Sequence, residues 1–312
     1  MTPMPTGVRP GSPLAQLLTT VIRVWPEHHP YLCRRFAEPA DGGEPVAQLL
    51  AERILRITGD ALERVVDDYR WTCSVMLEEE QHFRRHGRYR HTSFAEVRRQ
   101  VYDDPAYMRR YTNGLLMSQL LWTNHFRAMV TFRNEFLPGL AKDASLLEVG
   151  PGHGLLLALA REHLVGGRVT GWDVSPASLA ATRAALDAMA TGAVTLAQHD
   201  LLAAPVATAF DAVVASELVE HLEDPVGAVR RLAALTKPGG TLFLNIPVNS
   251  PAPDHISLWR SPAEVRELVT GIGLAIVEVR DFPMTGKSMA EAVAHQLTVS
   301  CVMICRRSGT EG

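Results

Sequence analysis

The chain has 312 residues, 46% of them apolar and 21% charged, with a formal net charge of −3. That balance describes a globule long enough to bury a large core, and it excludes fibrous and disordered classes. It also disfavours a nucleic-acid partner, which calls for a surplus of Lys and Arg, and no run reaches the ~20 apolar residues of a membrane span.

Met1 to Pro13 carries four prolines and two glycines and reads as a disordered or loosely attached tail. Helical spacing begins at Leu14 and continues through Leu17, Leu18, Val21 and Ile22, until Pro26 and Pro30 break it. A second helix is expected over 45–57 and a third from Ala61 to about Arg84, with Asp60 as its cap. The stretch from Gln81 to His91 is basic and interleaved with aromatics; it reads as a solvated helix end, with a phosphate grip as the rarer alternative. Ser93 opens a short helix to Tyr102, and Asp104-Pro105 opens a long one from Tyr107 to about Phe136. Residues 14–138 therefore form an all-helical domain, bounded by Pro138-Gly139.

Beyond that boundary the pattern changes to short apolar runs alternating with helical ones, the signature of an α/β sheet. Leu146 to Val149 is a strand that breaks at Gly150-Pro151-Gly152-His153-Gly154, with a helix directly after it. Glycines there let backbone approach a ligand, and the new helix offers unpaired N–H groups. A second strand, Arg168 to Val174, brings Asp173 to its end, 23 residues after Gly150, near the ~20-residue offset of a ribose-binding acid. Further strands run over 193–197, ahead of His199-Asp200-Leu201, and over 210–216, ahead of Glu217. The fifth, 241–246, follows the turn Lys237-Pro-Gly-Gly240, and strands at 274–279 and 297–304 complete seven. A proline-rich loop, 247–259, follows the fifth strand, where loops of such sheets lie over the ligand crevice.

These landmarks resemble the class I S-adenosylmethionine-dependent methyltransferases, a Rossmann-like family, over about residues 145–307. Glu148-Val-Gly-Pro-Gly-His-Gly154 is similar to their first motif, and Asp173 and Asp200 stand where their ribose and adenine contacts stand. The resemblance implies a donor site of Glu148, Gly150, Pro151, Gly152, Gly154, Asp173, Val174, Ser175, Asp200, Leu201 and Ser216. A dinucleotide-binding dehydrogenase is the poorer alternative, because the glycine turn lacks the third glycine of G-x-G-x-x-G. By analogy with small-molecule members, the helical domain caps the cleft, with Tyr107, Tyr111, Asn124 and His125 as acceptor-pocket candidates.

A second constellation follows strand four. In Glu217-Leu-Val-Glu-His-Leu222, positions 217, 220 and 221 share one face of a helical turn, which gathers two carboxylates and an imidazole. Carboxylates ~4 Å apart repel by about 4 kcal/mol at an effective dielectric of ~20, so a cation or a shared proton is expected, against a solvated helix face as the plain alternative. This Glu-x-x-Glu-His, with Asp254-His255 downstream, resembles the metal-binding set of small-RNA 3′-terminal 2′-O-methyltransferases and of ubiquinone-biosynthesis O-methyltransferases. The resemblance implies a divalent metal (Mg, Mn, Fe, Co or Zn) on Glu217, Glu220, His221 and His255. His255, His295 and Lys287 are the candidates for moving a proton, the latter two also fitting as ordinary surface residues.

The expected enzyme is a metal-dependent O-methyltransferase of a small diol, catechol or hydroxy acid. Three alternatives stay open: C-methylation of a 2-oxo acid through its enolate, RNA 2′-O-methylation, and an inactive donor-binding partner protein. Four scattered cysteines, with Cys301 and Cys305 read as buried strand residues, and no signal-peptide pattern point to a reducing cytoplasm, without a membrane. A homodimer is left open.

Overall fold

The computed structural model describes residues 3–38, 42–203 and 208–309. Seven strands form one sheet: β1 (Ser145–Val149), β2 (Arg168–Asp173), β3 (Thr195–Gln198), β4 (Phe210–Ser216), β5 (Thr236–Val248), β6 (Leu274–Pro283) and β7 (Val299–Arg307). Their order is β3-β2-β1-β4-β5-β7-β6. The first five strands pair in parallel, and β7 runs antiparallel between β5 and β6. The order reverses between β1 and β4, which opens a crevice at their carboxyl ends. The expected α/β sheet is thus present, with two departures. β5 begins at Thr236 and takes in the Lys237–Gly240 turn, beside a register shift between Phe210 and Ala212. β6 runs on to Pro283.

The helices before the sheet are α1 (Pro13–Val24), α2 (His29–Ala37), α3 (Gly43–Thr58), α4 (Leu62–His86), α5 (Phe94–Val97), α6 (Pro105–Leu121) and α7 (Thr123–Thr131). Within and after the sheet come α8 (Leu155–His163), α9 (Pro176–Ala188), α10 (Pro225–Leu235), α11 (Pro262–Gly271) and α12 (Met289–Ala294). Several starts share one local device, a capping side chain followed by proline. Ser12, Asp104, Ser175, Asp224 and Ser261 each accept a hydrogen bond from the first turn of the helix that the next residue, a proline, begins. The side chain satisfies a free N–H while proline sets φ, and losing such a cap costs about 1 kcal/mol.

Three expectations for the helical half are corrected, and the break after α1 is where it was expected. Asp60 does not cap α4; Ala61 holds that position, with no side-chain bond. The break after α1 contains a helix of its own, α2, whose proline sits in the first turn where no N–H is needed. The long helix of 107–136 is broken at Trp122, which adopts extended backbone between α6 and α7. The tail is seated: the Pro3 carbonyl lies 2.7 Å from His29 Nε2, and Met4 and Val8 pack on the core; Met1 and Thr2 of that stretch lie outside the described residues.

The sheet is buried on both faces. One face places Leu146, Ala212, Val214, Phe243, Val302 and Ile304 in a single core with α8, α9 and residues of α1, α3, α4, α6 and α7. Phe132 and Phe136, beyond α7, meet Phe243 at ring distances of 5.2 and 5.3 Å. The opposite face, including Leu147, Val213, Leu244 and Met303, packs against α10, α11 and α12. Cys301 and Cys305 are free and buried in that second core, as expected. The helical half is therefore a layer of the same body, lying where an α/β fold would otherwise need crossover helices. Among the described residues, no helix is long and apolar enough to cross a membrane.

Candidate active site

The expected donor residues line the carboxyl ends of β1 to β4. Glu148 is buried on β1, with Oε2 lacking a hydrogen-bond partner, and burial pushes its carboxyl well above the ordinary value. Gly150, Gly152 and Gly154 all have positive φ, and Gly150 N donates to the Trp172 carbonyl at 2.8 Å. A Cβ on Gly150 would also stand 3.0 Å from Leu218 Cδ1, so the turn presses against the loop that carries the second constellation. Pro151 is buried beneath this turn, and Gly154 forms the N-cap of α8.

Asp173 ends β2, and its two oxygens accept from Ser175 N (2.8 Å) and Ser178 Oγ (2.7 Å), which orients the carboxylate over the start of α9. Val174 is exposed beside it, and Ser175 caps α9. Asp200 is exposed and accepts from Leu202 N at 2.8 Å, while Leu201 is buried. Ser216 Oγ accepts from Asn245 Nδ2 at 3.2 Å.

The second constellation is neither solvated nor a regular helix face. Glu217 has φ +53, and only Val219–His221 forms a single 3-10 turn. The positive φ is held by a bond from Glu217 N to the Asn245 carbonyl (2.9 Å), while Asn245 Nδ2 donates to Glu217 Oε1 (2.9 Å). Glu220 is 0% exposed, and neither of its oxygens has a hydrogen-bond partner of ordinary geometry. Burial pushes its carboxyl well above the usual value, and the charge of Glu217 adds to this; burial also raises Glu217, against the Asn245 bond.

His221 and His255 flank Glu220. Their Nε2 atoms lie 3.7 and 3.9 Å from Glu220 Oε1. Each Nδ1 is turned to a backbone carbonyl, His221 to Asp254 (3.0 Å) and His255 to Ser250 (2.6 Å). Burial lowers His255 to about 4, so its Nε2 carries a free lone pair near neutrality. Ligand atoms of Glu220, His221 and His255 all lie within 4.8 Å of one another; Glu217, expected as a fourth member, is outside this tight set.

A buried carboxylate without a hydrogen-bond partner beside two imidazole Nε2 atoms, each ring fixed by a carbonyl through its other nitrogen, matches in kind the side chains that hold divalent cations. Bonds of ~2.0–2.1 Å place tetrahedral ligands about 3.4 Å apart, so the two imidazoles would close on Glu220 from 3.7 and 3.9 Å. The residues fit the group.

The loop carrying His255 is pinned from both sides. Ile256 N and Ser257 N both donate to the Glu220 carbonyl at 2.9 Å, and Ser250 N donates to Tyr89 Oη at 2.9 Å. Tyr89 belongs to the basic stretch 81–91, whose Arg84 reaches the carbonyls of His295 and Gln296 and whose Arg90 pairs with Glu79. That stretch is therefore an internal clasp as well as a surface.

Of the acceptor-pocket candidates, Tyr111 Oη donates to Asp254 Oδ1 at 2.8 Å, and Tyr107 stacks edge-on to Trp71 and lies tilted near Tyr111. Asn124 Nδ2 donates to Ser300 Oγ on β7 at 3.0 Å. His125 is buried, with Nδ1 at 3.0 Å from Ser118 Oγ, and burial lowers it to about 3. The proton-carrier candidates Lys287 and His295 are both exposed. Lys287 Nζ lies 3.5 Å from Glu291, and neither residue joins the Glu220 cluster. Tyr102, Tyr89 and Asn245 carry no motif signal of their own, and Asp254 stood in the sequence only as the neighbour of His255, with no role of its own.

A family model described as a methyltransferase domain matches residues 121–278. The chain is 39% identical over 118 residues to a ubiquinone biosynthesis O-methyltransferase of Xanthomonas campestris pv. campestris (strain B100), an alignment covering 37% of this chain and 46% of that protein. The protein of the same description from Sodalis glossinidius (strain morsitans) is 40% identical over 106 residues, covering 32% and 40%. The match thus spans less than half the length of these relatives.

Two solved structures are similar: an O-methyltransferase family protein from Burkholderia thailandensis (TM-score 0.54, 15% identity, 81% of this chain and 74% of that one), and mitomycin 7-O-methyltransferase MmcR (TM-score 0.51, 18% identity, 79% and 70%). At such identity they show a shared fold, and their coverage exceeds the share of the chain lying beyond Pro138, so the likeness reaches into the helical layer. The family match takes in 158 of 312 residues (121 to 278 inclusive), and the chain belongs to the methyltransferase-domain family.

Proposed function

We propose that this protein transfers the methyl group of S-adenosylmethionine to an oxygen of a small molecule bearing two neighbouring oxygens, a catechol, vicinal diol or hydroxy acid. The observation that carries the reading is Glu220: a fully buried carboxylate without a hydrogen-bond partner, facing two imidazole Nε2 atoms, beside the glycine turn through Leu218. The family match and the O-methyltransferase relatives support the reaction class.

In this reading Glu220, His221 and His255 hold a divalent cation, and Glu217 stands next to them. When bound, such a cation binds acceptor oxygens and lowers the pKa of a hydroxyl toward neutrality. The chain's own residues do the rest. The glycine turn, Glu148 and Asp173 hold the donor, and Asn245 fixes Glu217 by its Oε1. Glu217, held beside the cation set by Asn245, is the carboxylate placed to take the acceptor's proton. The acceptor oxygen then forms a bond to the methyl carbon as the carbon–sulfur bond breaks. Its electron pair returns to sulfur and leaves S-adenosylhomocysteine. The helical layer, with Tyr107, Tyr111, Asn124 and His125, excludes water and shapes the acceptor side. Lys287 and His295, exposed and engaged elsewhere, have no part in this scheme.

The test is a mass-spectrometric screen of catechols, diols, hydroxy acids and 2-oxo acids with methyl-labelled donor, using chelated protein and the same protein reloaded with Mg, Mn, Fe, Co or Zn. Label on oxygen, lost on chelation and restored by one cation, is the expected result. An unchanged rate in verified metal-free protein would refute the cation's part, and label on carbon would replace O-methylation by attack from an enolate.

A further inference from the structure

Asp254 stands next to His255 in sequence, yet its carboxylate is held by the helical layer. Tyr111 Oη donates to Oδ1 at 2.8 Å and Tyr102 Oη to Oδ2 at 3.3 Å. Asp254 and Tyr111 are buried, at 4% and 2% exposure, and burial followed by the charge of Asp254 keeps both tyrosines protonated and so able only to donate. The main chain of the same residue does something different. Its carbonyl accepts the His221 Nδ1 hydrogen at 3.0 Å, whereas its carboxylate Oδ2 stands off that nitrogen at 3.5 Å. One residue therefore faces two ways, with its side chain held by the helical layer and its backbone aiming the His221 ring at Glu220.

We propose that Asp254 is a positioning residue through which Tyr102 and Tyr111 of the helical layer set the orientation of His221. Both tyrosines lie in helical segments, Tyr111 in α6 and Tyr102 in the π-helical turn after α5, on the side expected to cover the acceptor. A carboxylate deprived of its two donors would be buried and unsatisfied, with His221 Nδ1 standing 3.5 Å from Oδ2 as a replacement. Taking that hydrogen from the backbone carbonyl turns the ring and moves Nε2 off Glu220. The layer that closes over the acceptor and the groups that would hold the cation are thereby coupled by three side chains. The proposal takes its catalytic consequence from the metal reading above, while its geometry stands without it.

The test uses full-length Tyr102→Phe/Tyr111→Phe, which keeps both rings and removes only the hydroxyls, and Asp254→Asn. Tyr31→Phe serves as control, since Tyr31 Oη pairs with Thr285 Oγ1 at 2.8 Å away from the cluster. The first readout needs no metal: side-chain nitrogen spectra of protein labelled on histidine, assigned by His221→Gln. The His221 signal should show the Nδ1–H tautomer in the parent and in Tyr31→Phe, and should shift or split in the double variant and in Asp254→Asn. The second readout is Co(II) binding followed by its visible absorption, where those variants should bind about 10–100-fold more weakly, as loss of a residue behind a ligand does. An unmoved His221 signal overturns the proposal, as does unchanged affinity in a parent that binds Co(II). Failure of the parent itself to bind Co(II) or any other divalent cation sinks the metal reading alone, and the histidine spectrum still decides the proposal.

Discussion

Glu220 is the residue on which the site turns, and its burial has a measurable consequence. A carboxyl raised in the folded state keeps a proton that the unfolded chain has already released above its ordinary pKa near 4.3. Stability is therefore full at low pH and is lost as pH rises through the raised value, at up to about 1.4 kcal/mol per pH unit for each such group. The buried histidines act in the opposite sense. His28, His153 and His255 are lowered to about 4 and His125 to about 3, all by burial, so they add stability as pH rises, but only up to their unfolded value near 6.5. Between about pH 6.5 and 8 the carboxyls dominate. Melts of metal-free protein should show falling stability in that window, and Glu220→Gln, neutral and of the same shape, should flatten the fall. Equal slopes in the two proteins would mean that Glu220 does not hold a proton there. A fitting divalent cation should flatten the parent's slope as well, since it binds the deprotonated form and supplies the missing partner.

At the scale of elements, the contact between α4 and α6 decides where the tyrosines stand. A Cβ on Gly114 would lie 2.0 Å from Thr72 Oγ1, so the two helices approach closely only because position 114 has no side chain. Asp68 ties them further, accepting from Arg110 Nε at 3.1 Å and Asn113 Nδ2 at 2.9 Å. Gly114→Ala should push α6 outward and carry Tyr111 away from Asp254. Overpacking of this kind costs about 1–3 kcal/mol, readable as a lowered urea midpoint. Affinity for the donor, whose proposed site lies at the strand ends, should change little by calorimetry, while turnover falls. Donor affinity falling as steeply as turnover would show the disturbance spreading through the whole core.

The break between α6 and α7 teaches a related lesson about what a sequence displays. No glycine or proline marks it, and Leu120-Leu121-Trp122-Thr123 reads as uninterrupted helix. Partners remote in sequence make it. Arg35 Nε takes the Leu120 carbonyl, Trp122 Nε1 donates to Tyr69 Oη, and Thr123 N donates to Thr285 Oγ1 in the loop after β6. The first and third satisfy backbone groups that a continuous helix would have satisfied internally, and the second anchors the Trp122 side chain. The starts of α1, α6 and α11, by contrast, could be read directly, because their caps act within three residues of themselves.

For the whole molecule, the shared core predicts that the two halves fold together. Removing residues 1–138 would bare Phe243, Val302 and Ile304, which share their core with the helical layer. Exposed apolar surface of that extent drives association. Such a truncation should be aggregated or molten by light scattering and near-ultraviolet circular dichroism. A monodisperse truncation that still binds the donor would show the helical layer to be a separable cap.

The sequence by itself determined the strand–turn–helix alternation, the glycine turn, the acids at the ends of β2 and β3, and the residues of the Glu-x-x-Glu-His set. These follow from local rules, namely periodicity, backbone freedom at glycine and side-chain capping, which act over a few residues. The tertiary structure decided how closely the residues of that set meet. It drew Glu220 and His221 together with His255, 34 residues downstream, and left Glu217 at the edge because its backbone turns at positive φ onto Asn245. It also joined Asp254 to tyrosines about 140–150 positions earlier in the chain. Burial has the same origin. A carboxylate reads alike in sequence whether it faces water or a dry core, and only the packing of the helical layer against the sheet removed the water that would have satisfied Glu220.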